Sequence, residues 1–357
     1  MKKRTLILLA VVLVCAMMFT ACAAPAGENT AAPSEETGAD STATSEAAAD
    51  DDQLVIGMSM MIMAHPFAQD IYAGAMSVAD EYGAEIMLVD GNFDVTTQMN
   101  GMDDIIASGK LDALFLWGVD SDSIVPSIQE CNGLGIPVIS VDVLPNGGET
   151  VAHVSSDNFE IGMNAGEYAI ECLKEKYNGE VKGKIVVLNA PHISTMNDRT
   201  QGFISAFEGY DGVEFIEKTV TDVNSDTFLS LVDDVIMANP TGSFDMMFAP
   251  NSTAGVPAIS GTEAAGRTDY MIVSVDACDE FAAAVEKQDG IFKGYVAQDG
   301  ITIGKEAMKR CIQAAQGELT EFEQVAVPSI MVSAENYEEF NKEYAAQQEE
   351  LKQYYTE

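Results

Sequence analysis

The sequence predicts an α/β fold of two doubly wound parallel-sheet lobes. Three observations carry that expectation. From residue 53 onward, apolar runs of a few residues alternate with segments of helical periodicity, the signature of βαβ units. There are more such units than one sheet comfortably holds, so they divide between two lobes. Most of the apolar runs also end on a polar residue with a planar head, where open parallel sheets bind their ligands.

The elements follow in order. Leu54-Val55-Ile56-Gly57-Met58 reads as a strand and Pro66 to Tyr82 as a helix. A strand at 84–89, a helix at 96–108, a strand at 112–116, a helix at 121–134 and a strand at 137–141 continue the series. Further strands fall near 151–155, 184–189, 213–218, 244–248, 270–275 and 291–297. The intervening helices fall near 159–177, 197–208, 226–238, 253–265, 279–287 and 300–316. Glu335 to Tyr355 is a polar helix with an apolar stripe of Tyr337, Phe340 and Tyr344, and it packs across a lobe. The residues that end strands are Asp90, Trp117, Asp142, Asn189, Asn251, Asp276 and Gln298. Singly, each of the Asp and Asn residues could be a helix cap. As a set, they converge on one cleft.

The N-terminal segment follows different rules. Lys2, Lys3 and Arg4 precede an unbroken apolar run of 14 residues, Leu6 to Phe19. About 20 residues are needed to span a bilayer, so residues 1–21 read as a secretory signal. Phe19-Thr20-Ala21-Cys22 resembles the lipobox of bacterial lipoproteins, which implies cleavage before Cys22 and lipidation of its thiol. Residues 23–52 hold ten Ala, eight acidic residues, no basic residue and no large apolar one. Such a segment cannot bury a core, so 22–52 is expected to be a lipidated Cys and a disordered acidic tether. The expected location is the outer face of the cell membrane.

The whole chain of 357 residues has a formal net charge of −39, and residues 53–357 alone carry −34. A phosphate-backbone binder presents clustered Lys and Arg, so nucleic acid is excluded as a partner. No GxxxxGK[ST] loop, GxSxG elbow or HExxH motif is present, and the three histidines, His65, His153 and His192, lack ligand spacing. No cofactor and no metal site is expected. Nothing marks a nucleophile, so the chain does not read as an enzyme. Cys131, Cys172, Cys278 and Cys311 lie in the folded body; export permits disulfides, and spacing leaves open whether any form.

Ordered short motifs over roughly 53–334 then resemble the periplasmic binding proteins of the ribose/galactose type. They are His65-Pro66-Phe67, Gly74-Ala75, Asp94 with Gln98, Asp112-Ala113 with Val119 to Asp122, and Gly135-Ile-Pro-Val138 with Val141-Asp142. Ser156-Asp157-Asn158 with Gly162, Arg199-Thr-Gln-Gly202-Phe203, Ala249-Pro250-Asn251, Val275-Asp276 and Ala297-Gln298 complete the set. The resemblance implies a type I periplasmic binding protein with three hinge crossings, near 156–158, 297–299 and 326–328. The N-terminal lobe would comprise 53–157 plus 299–327, and the C-terminal lobe 158–298 plus 328–357. It further implies a monosaccharide or sugar-like ligand bound by His65, Phe67, Asp94, Trp117, Asp142, Asn158, Arg199, Asn251, Asp276 and Gln298. A monomer delivering that ligand to ABC permease subunits in the membrane is the expected role. A ligand-sensing subunit for a membrane kinase or chemoreceptor is the alternative.

Four positions depart from the family pattern. Val143 stands where ribose-type receptors carry Arg, Ala68 replaces a Phe, His65 an Asn, and Ser252 an Asp. The pocket thereby loses one cation and one ring, which opens it to a neutral polyol, another pentose or hexose, or a partly cationic ligand.

Overall fold

A computed structural model describes residues 53–355. The expected signal, Cys22 and the acidic tether lie outside the described residues. The first half of the body runs β1 (Val55–Met60), α1 (Pro66–Tyr82), β2 (Glu85–Asp90), α2 (Val95–Ala107), β3 (Ala113–Leu116), α3 (Val125–Leu134), β4 (Val138–Val141) and β5 (Ala152–Ser155). The second half opens with α4 (Asn158–Lys176), β6 (Gly183–Asn189), α5 (Ser194–Ser205), β7 (Val213–Thr219), α6 (Ser225–Ala238) and β8 (Met246–Ala249). It continues with α7 (Ser252–Ala264), β9 (Met271–Val275), α8 (Asp279–Glu286), β10 (Phe292–Gln298) and α9 (Gly300–Ala315). Two short strands, β11 (Glu323–Ala326) and β12 (Ser329–Ser333), precede α10 (Tyr337–Glu350).

The strands form two six-stranded sheets, ordered β11-β5-β4-β3-β1-β2 and β12-β10-β9-β8-β6-β7. Both halves therefore repeat one doubly wound order, and each sheet has its switch point beside its first strand. All pairs are parallel except β10 with β12, where Gly294 faces Ser333. The chain passes between the sheets after β5, after β10 and between β11 and β12.

Strand alternation divides each sheet's apolar residues between two faces. In the first sheet, Ala113 and Phe115 join Met58 and Met308 on one side, while Leu114 and Leu116 join Met102 and Ile128 on the other. In the second, Phe248 stacks on Phe203 with ring centroids 4.0 Å apart on one face, and Met247 packs with Phe228 on the other. Glycine sets how closely the flanking helices approach. A Cβ on Gly162 would lie 2.1 Å from the Arg199 carbonyl oxygen, and one on Gly304 would lie 1.9 Å from that of Ile71. The pairs α4–α5 and α1–α9 thus meet backbone to backbone at matching places in the two halves.

Three features depart from the sequence expectation. β11 and β12 were not anticipated: they are four and five residues long, partly exposed, and lie at sheet edges. α5 begins at Ser194, three residues before the expected start. The segment assigned to the C-terminal lobe also reaches the other one. Phe340 packs edge-on against Tyr295 of β10, whereas the Tyr344 and Tyr355 hydroxyls and the Gln348 amide donate to Asp70 of α1. Leu351 packs with Ala73 and Ile301.

All four body cysteines are free thiols, three of them buried. Burial pushes Cys131 and Cys172 up to about 11 and Cys278 up to about 12. These are inert packing groups, not reactive ones.

Candidate functional site

The carboxyl ends of both sheets face a shared cleft. The two halves present it with matching chemistry. Val138-Ile-Ser-Val-Asp142 and Ile272-Val-Ser-Val-Asp276 are a strand and its terminal Asp in each half. Asp142 has φ 57° and Asp276 has φ 80°. Left-handed backbone is uncommon for a non-glycine residue, and such positions gather at ligand sites. Both aspartates line the cleft and are almost fully buried.

Arg199 lines the cleft and is only 4% exposed. Its Nε donates to Asn158 Oδ1 at 2.7 Å, and its Nη1 donates to the Pro250 carbonyl at 3.0 Å and to Asp276 Oδ1 at 3.5 Å. Asn158 is the first residue of α4, and its neighbour Asp157 caps that helix. The guanidinium is thereby fixed by three elements before any ligand arrives. Gln298 Nε2 donates to Asp276 Oδ1 at 2.8 Å, and the Ser252 N–H donates to Asp276 Oδ2 at 2.9 Å. Asp276 is consequently the hub of the polar floor.

Three polar atoms of the cleft lack a complete hydrogen bond: Trp117 Nε1, Asp142 Oδ1 and Gln298 Oε1. A buried polar group without a partner costs roughly 1–3 kcal/mol. The Trp117 N–H lies near enough to pull on the Asp142 carboxylate, so the capacity left for a ligand is chiefly that of two acceptors, Asp142 and Gln298. Burial raises the Asp142 carboxyl to about 6, against the pull of Arg199 and of the Trp117 N–H, while Asp276 pushes it further up. Burial lowers His65, with Asp276 and Asp70 opposing and Arg199 assisting that shift.

The remaining wall is apolar. Phe67 and Trp117 meet edge to face, with centroids 5.7 Å apart at 89°. Met61, Ile62 and Phe93 join them from the first half; Ile193, Met196 and Val223 face them from the second. A polar floor under apolar walls suits a ring with hydroxyls at its edge and C–H groups on its faces.

Of the ten residues expected at the site, eight line the cleft: His65, Phe67, Trp117, Asp142, Arg199, Asn251, Asp276 and Gln298. Asn158 stands behind Arg199 and orients it. Asp94 is placed elsewhere. It is exposed and caps α2, its Oδ1 accepting from the Thr97 N–H and hydroxyl at 2.7 and 2.8 Å. Its motif partner Gln98 is the buried member: it donates to the Trp117 carbonyl at 2.8 Å and accepts from the Val119 N–H at 2.8 Å. Gln98 thus fixes the backbone at Trp117, while Asp94 only caps the helix that carries Gln98. Asn251 caps α7, accepting from the Ala254 N–H at 3.0 Å, and still lines the cleft. Two other strand-ending residues serve local bonds. Asp90 accepts from the Met63 N–H at 3.1 Å, and Asn189 donates to Glu217 at 2.8 Å.

Sequence reasoning missed Met61, Ile62, Phe93, Ile193, Thr195, Met196, Val223 and Thr253. Each lies in a loop or first helical turn after a strand, so position was the available signal. Phe93 has φ 58°, which is rare for a large side chain. Of the departures from the family pattern, Val143 and Ala68 are buried within the first core. Ser252 bonds both Asp276 and His65. No group of His, Cys, Asp and Glu among the described residues could hold a metal ion.

Comparison with known proteins accords with this geometry. The ribose import binding protein of Escherichia coli (strain K12) is 25% identical over 263 residues, covering 74% of this chain and 85% of that protein. The xylitol-binding protein of Mycolicibacterium smegmatis is 26% identical over 260 residues, covering 71% and 70%. A solute binding protein of Bacillus halodurans C-125, solved with bound myo-inositol, superposes with a TM-score of 0.72 at 25% identity, over 83% of this chain and 99% of that one. The periplasmic binding protein domain matches residues 56–319. The chain belongs to the periplasmic binding protein domain family.

Proposed function

We propose that this protein is an extracytoplasmic receptor that binds a sugar or cyclic polyol between its two lobes and hands it to an ABC permease. The observation that carries the reading is the set of incomplete hydrogen bonds on the cleft floor. Asp142 Oδ1, Gln298 Oε1 and Trp117 Nε1 are buried and incomplete, beside a guanidinium already fixed by three partners. Vicinal hydroxyls donate to such acceptors and accept from the guanidinium beside them, so they complete the set. Relatives named for ribose import and xylitol binding, and a neighbour holding myo-inositol, support the same ligand class.

The cycle consists of binding, lobe closure, docking and release, with no chemical step. Phe67 and Trp117 cover a ring face, Arg199, Asn251, Asp276 and Gln298 hold hydroxyls, and Asp142 accepts from one. The lobes comprise 53–157 plus 299–327 and 158–298 plus 328–357, with the C-terminal end strapped across to α1. Cys22 carries the lipid that keeps the monomer at the membrane. Uptake of labelled sugar by cells is the test. Loss on deletion of the gene, restoration by the wild type and failure of Arg199→Ala to restore it are expected. Normal uptake in the deletion strain, with loss of a transcriptional response instead, overturns the transport role.

A further inference from the structure

His65, which lines the cleft, and Ser252, buried beside it, form a side-chain hydrogen bond between the halves. His65 stands at the N-cap of α1, among the elements of the first sheet, and its ring makes no capping bond to that helix. Ser252 opens α7 in the other half. His65 Nε2 lies 3.0 Å from Ser252 Oγ, and Ser252 Oγ lies 3.2 Å from Asp276 Oδ2. The serine hydroxyl has one proton. When it goes to the Asp276 carboxylate, the Ser252 lone pair faces His65, and the Nε2–H tautomer of the imidazole bridges the two. The result is a directed chain, His65 Nε2–H to Ser252 Oγ–H to Asp276 carboxylate, which crosses from one half to the other and ends on the hub of the polar floor.

We infer that His65 and Ser252 are positioning residues that clasp the closed state through Asp276, not contacts to the ligand. The inference rests on the reading of the cleft as a closing sugar site. Two consequences separate a clasp from a direct contact. Residues in one hydrogen-bond chain are coupled, so their losses do not add, whereas independent ligand contacts add. A clasp made only on closure also slows opening and leaves entry unaffected, so its loss appears in koff and not in kon.

The test places spin labels at Leu134→Cys and Met237→Cys, which are 61% and 76% exposed on α3 and α6. Interlobe distances are read by double electron–electron resonance without ligand and with saturating D-ribose, xylitol or myo-inositol. His65→Ala and Ser252→Ala are each expected to lower the closed-to-open ratio about three- to tenfold, the scale of one hydrogen bond. The double variant is expected to go no further than either single one. His65→Gln keeps a donor near the Nε2 position and is expected to recover most of the ratio. Unliganded His65→Ala is expected to unfold cooperatively with its helix content intact, because the ring does not cap α1. Unchanged distances in both single variants, or additive losses, overturn the inference. If none of the three probes moves the wild-type distances, D-ribose, xylitol and myo-inositol are excluded as ligands, and the unliganded distributions still decide the clasp.

Discussion

The sharpest consequence of the cleft chemistry concerns Asp142. The perturbation is Asp142→Asn, which keeps the shape and removes the ionisable proton. In the folded protein this carboxyl is raised to about 6 from 3.8, chiefly by burial. A shift of that size corresponds to about 3 kcal/mol at 1.36 kcal/mol per pH unit. The sign follows from proton linkage. Between pH 3.8 and about 6 the native state holds a proton that the unfolded state has released. Native stability from this group is complete below the unfolded value and is lost as pH rises through the folded one. At pH 7.5 the wild type therefore bears the full cost of a buried carboxylate, and the Asn variant does not. Ligand-free thermal melts from pH 4 to pH 8 should show the variant gaining little at pH 4 and roughly 2–3 kcal/mol at pH 7.5. Binding should move the opposite way. A hydroxyl donating to Oδ1 stabilises the carboxylate, so wild-type affinity rises with pH across this window, while the variant binds more weakly by about 1.5–3 kcal/mol and without that pH dependence. A variant no more stable than wild type at pH 7.5, or equally stabilised at pH 4, would mean that Asp142 carries no burial cost as a carboxylate.

Three further outcomes follow from the same geometry. Arg199→Ala should weaken sugar binding by at least about 2 kcal/mol in isothermal titration, the scale of losing charge-assisted bonds; an unchanged Kd removes Arg199 from the site. Gly162→Ala and Gly304→Ala each set a methyl against a carbonyl oxygen about 2 Å away, and should cost about 1–3 kcal/mol in urea unfolding. A neutral effect would mean that the helix pairs are free to part. Tyr344→Phe removes a donor from buried Asp70, and should lower stability by about 2 kcal/mol. Equal midpoints would show that the C-terminal strap does not hold through that bond.

Much of the fold was legible because each half repeats one simple instruction: a short apolar strand, a polar end, a helix. The near-identical runs ending at Asp142 and Asp276 announced two equivalent sheet ends, and the structure places both in the cleft. β11 and β12 escaped because short edge strands are partly exposed and carry no sustained apolar run. The helix 337–350 was legible, but its destination was not, since nothing local in Tyr344 or Tyr355 names Asp70 as partner. At the site, polarity at strand ends was a good guide, and it failed where the local backbone claimed the side chain. Asp94 spends its carboxylate on the first turn of α2, and Asp90 on the Met63 N–H. The apolar wall had no such flag. Met61, Ile193 and Val223 look like core residues in sequence, and only the approach of the two halves makes them a surface for a ring. The value of Ser252 lies likewise in a partner 187 residues away.

A cleft built for a hydroxylated ring should show itself in a thermal-shift panel of monosaccharides, cyclic and linear polyols, nucleosides and amino acids. A ligand present at about 100 times its Kd stabilises the native state by about 2.7 kcal/mol. Such a shift is expected with at least one sugar or polyol, and is expected to disappear in Arg199→Ala. A shift with an amino acid alone, and none with any hydroxylated compound, would rule out a sugar site.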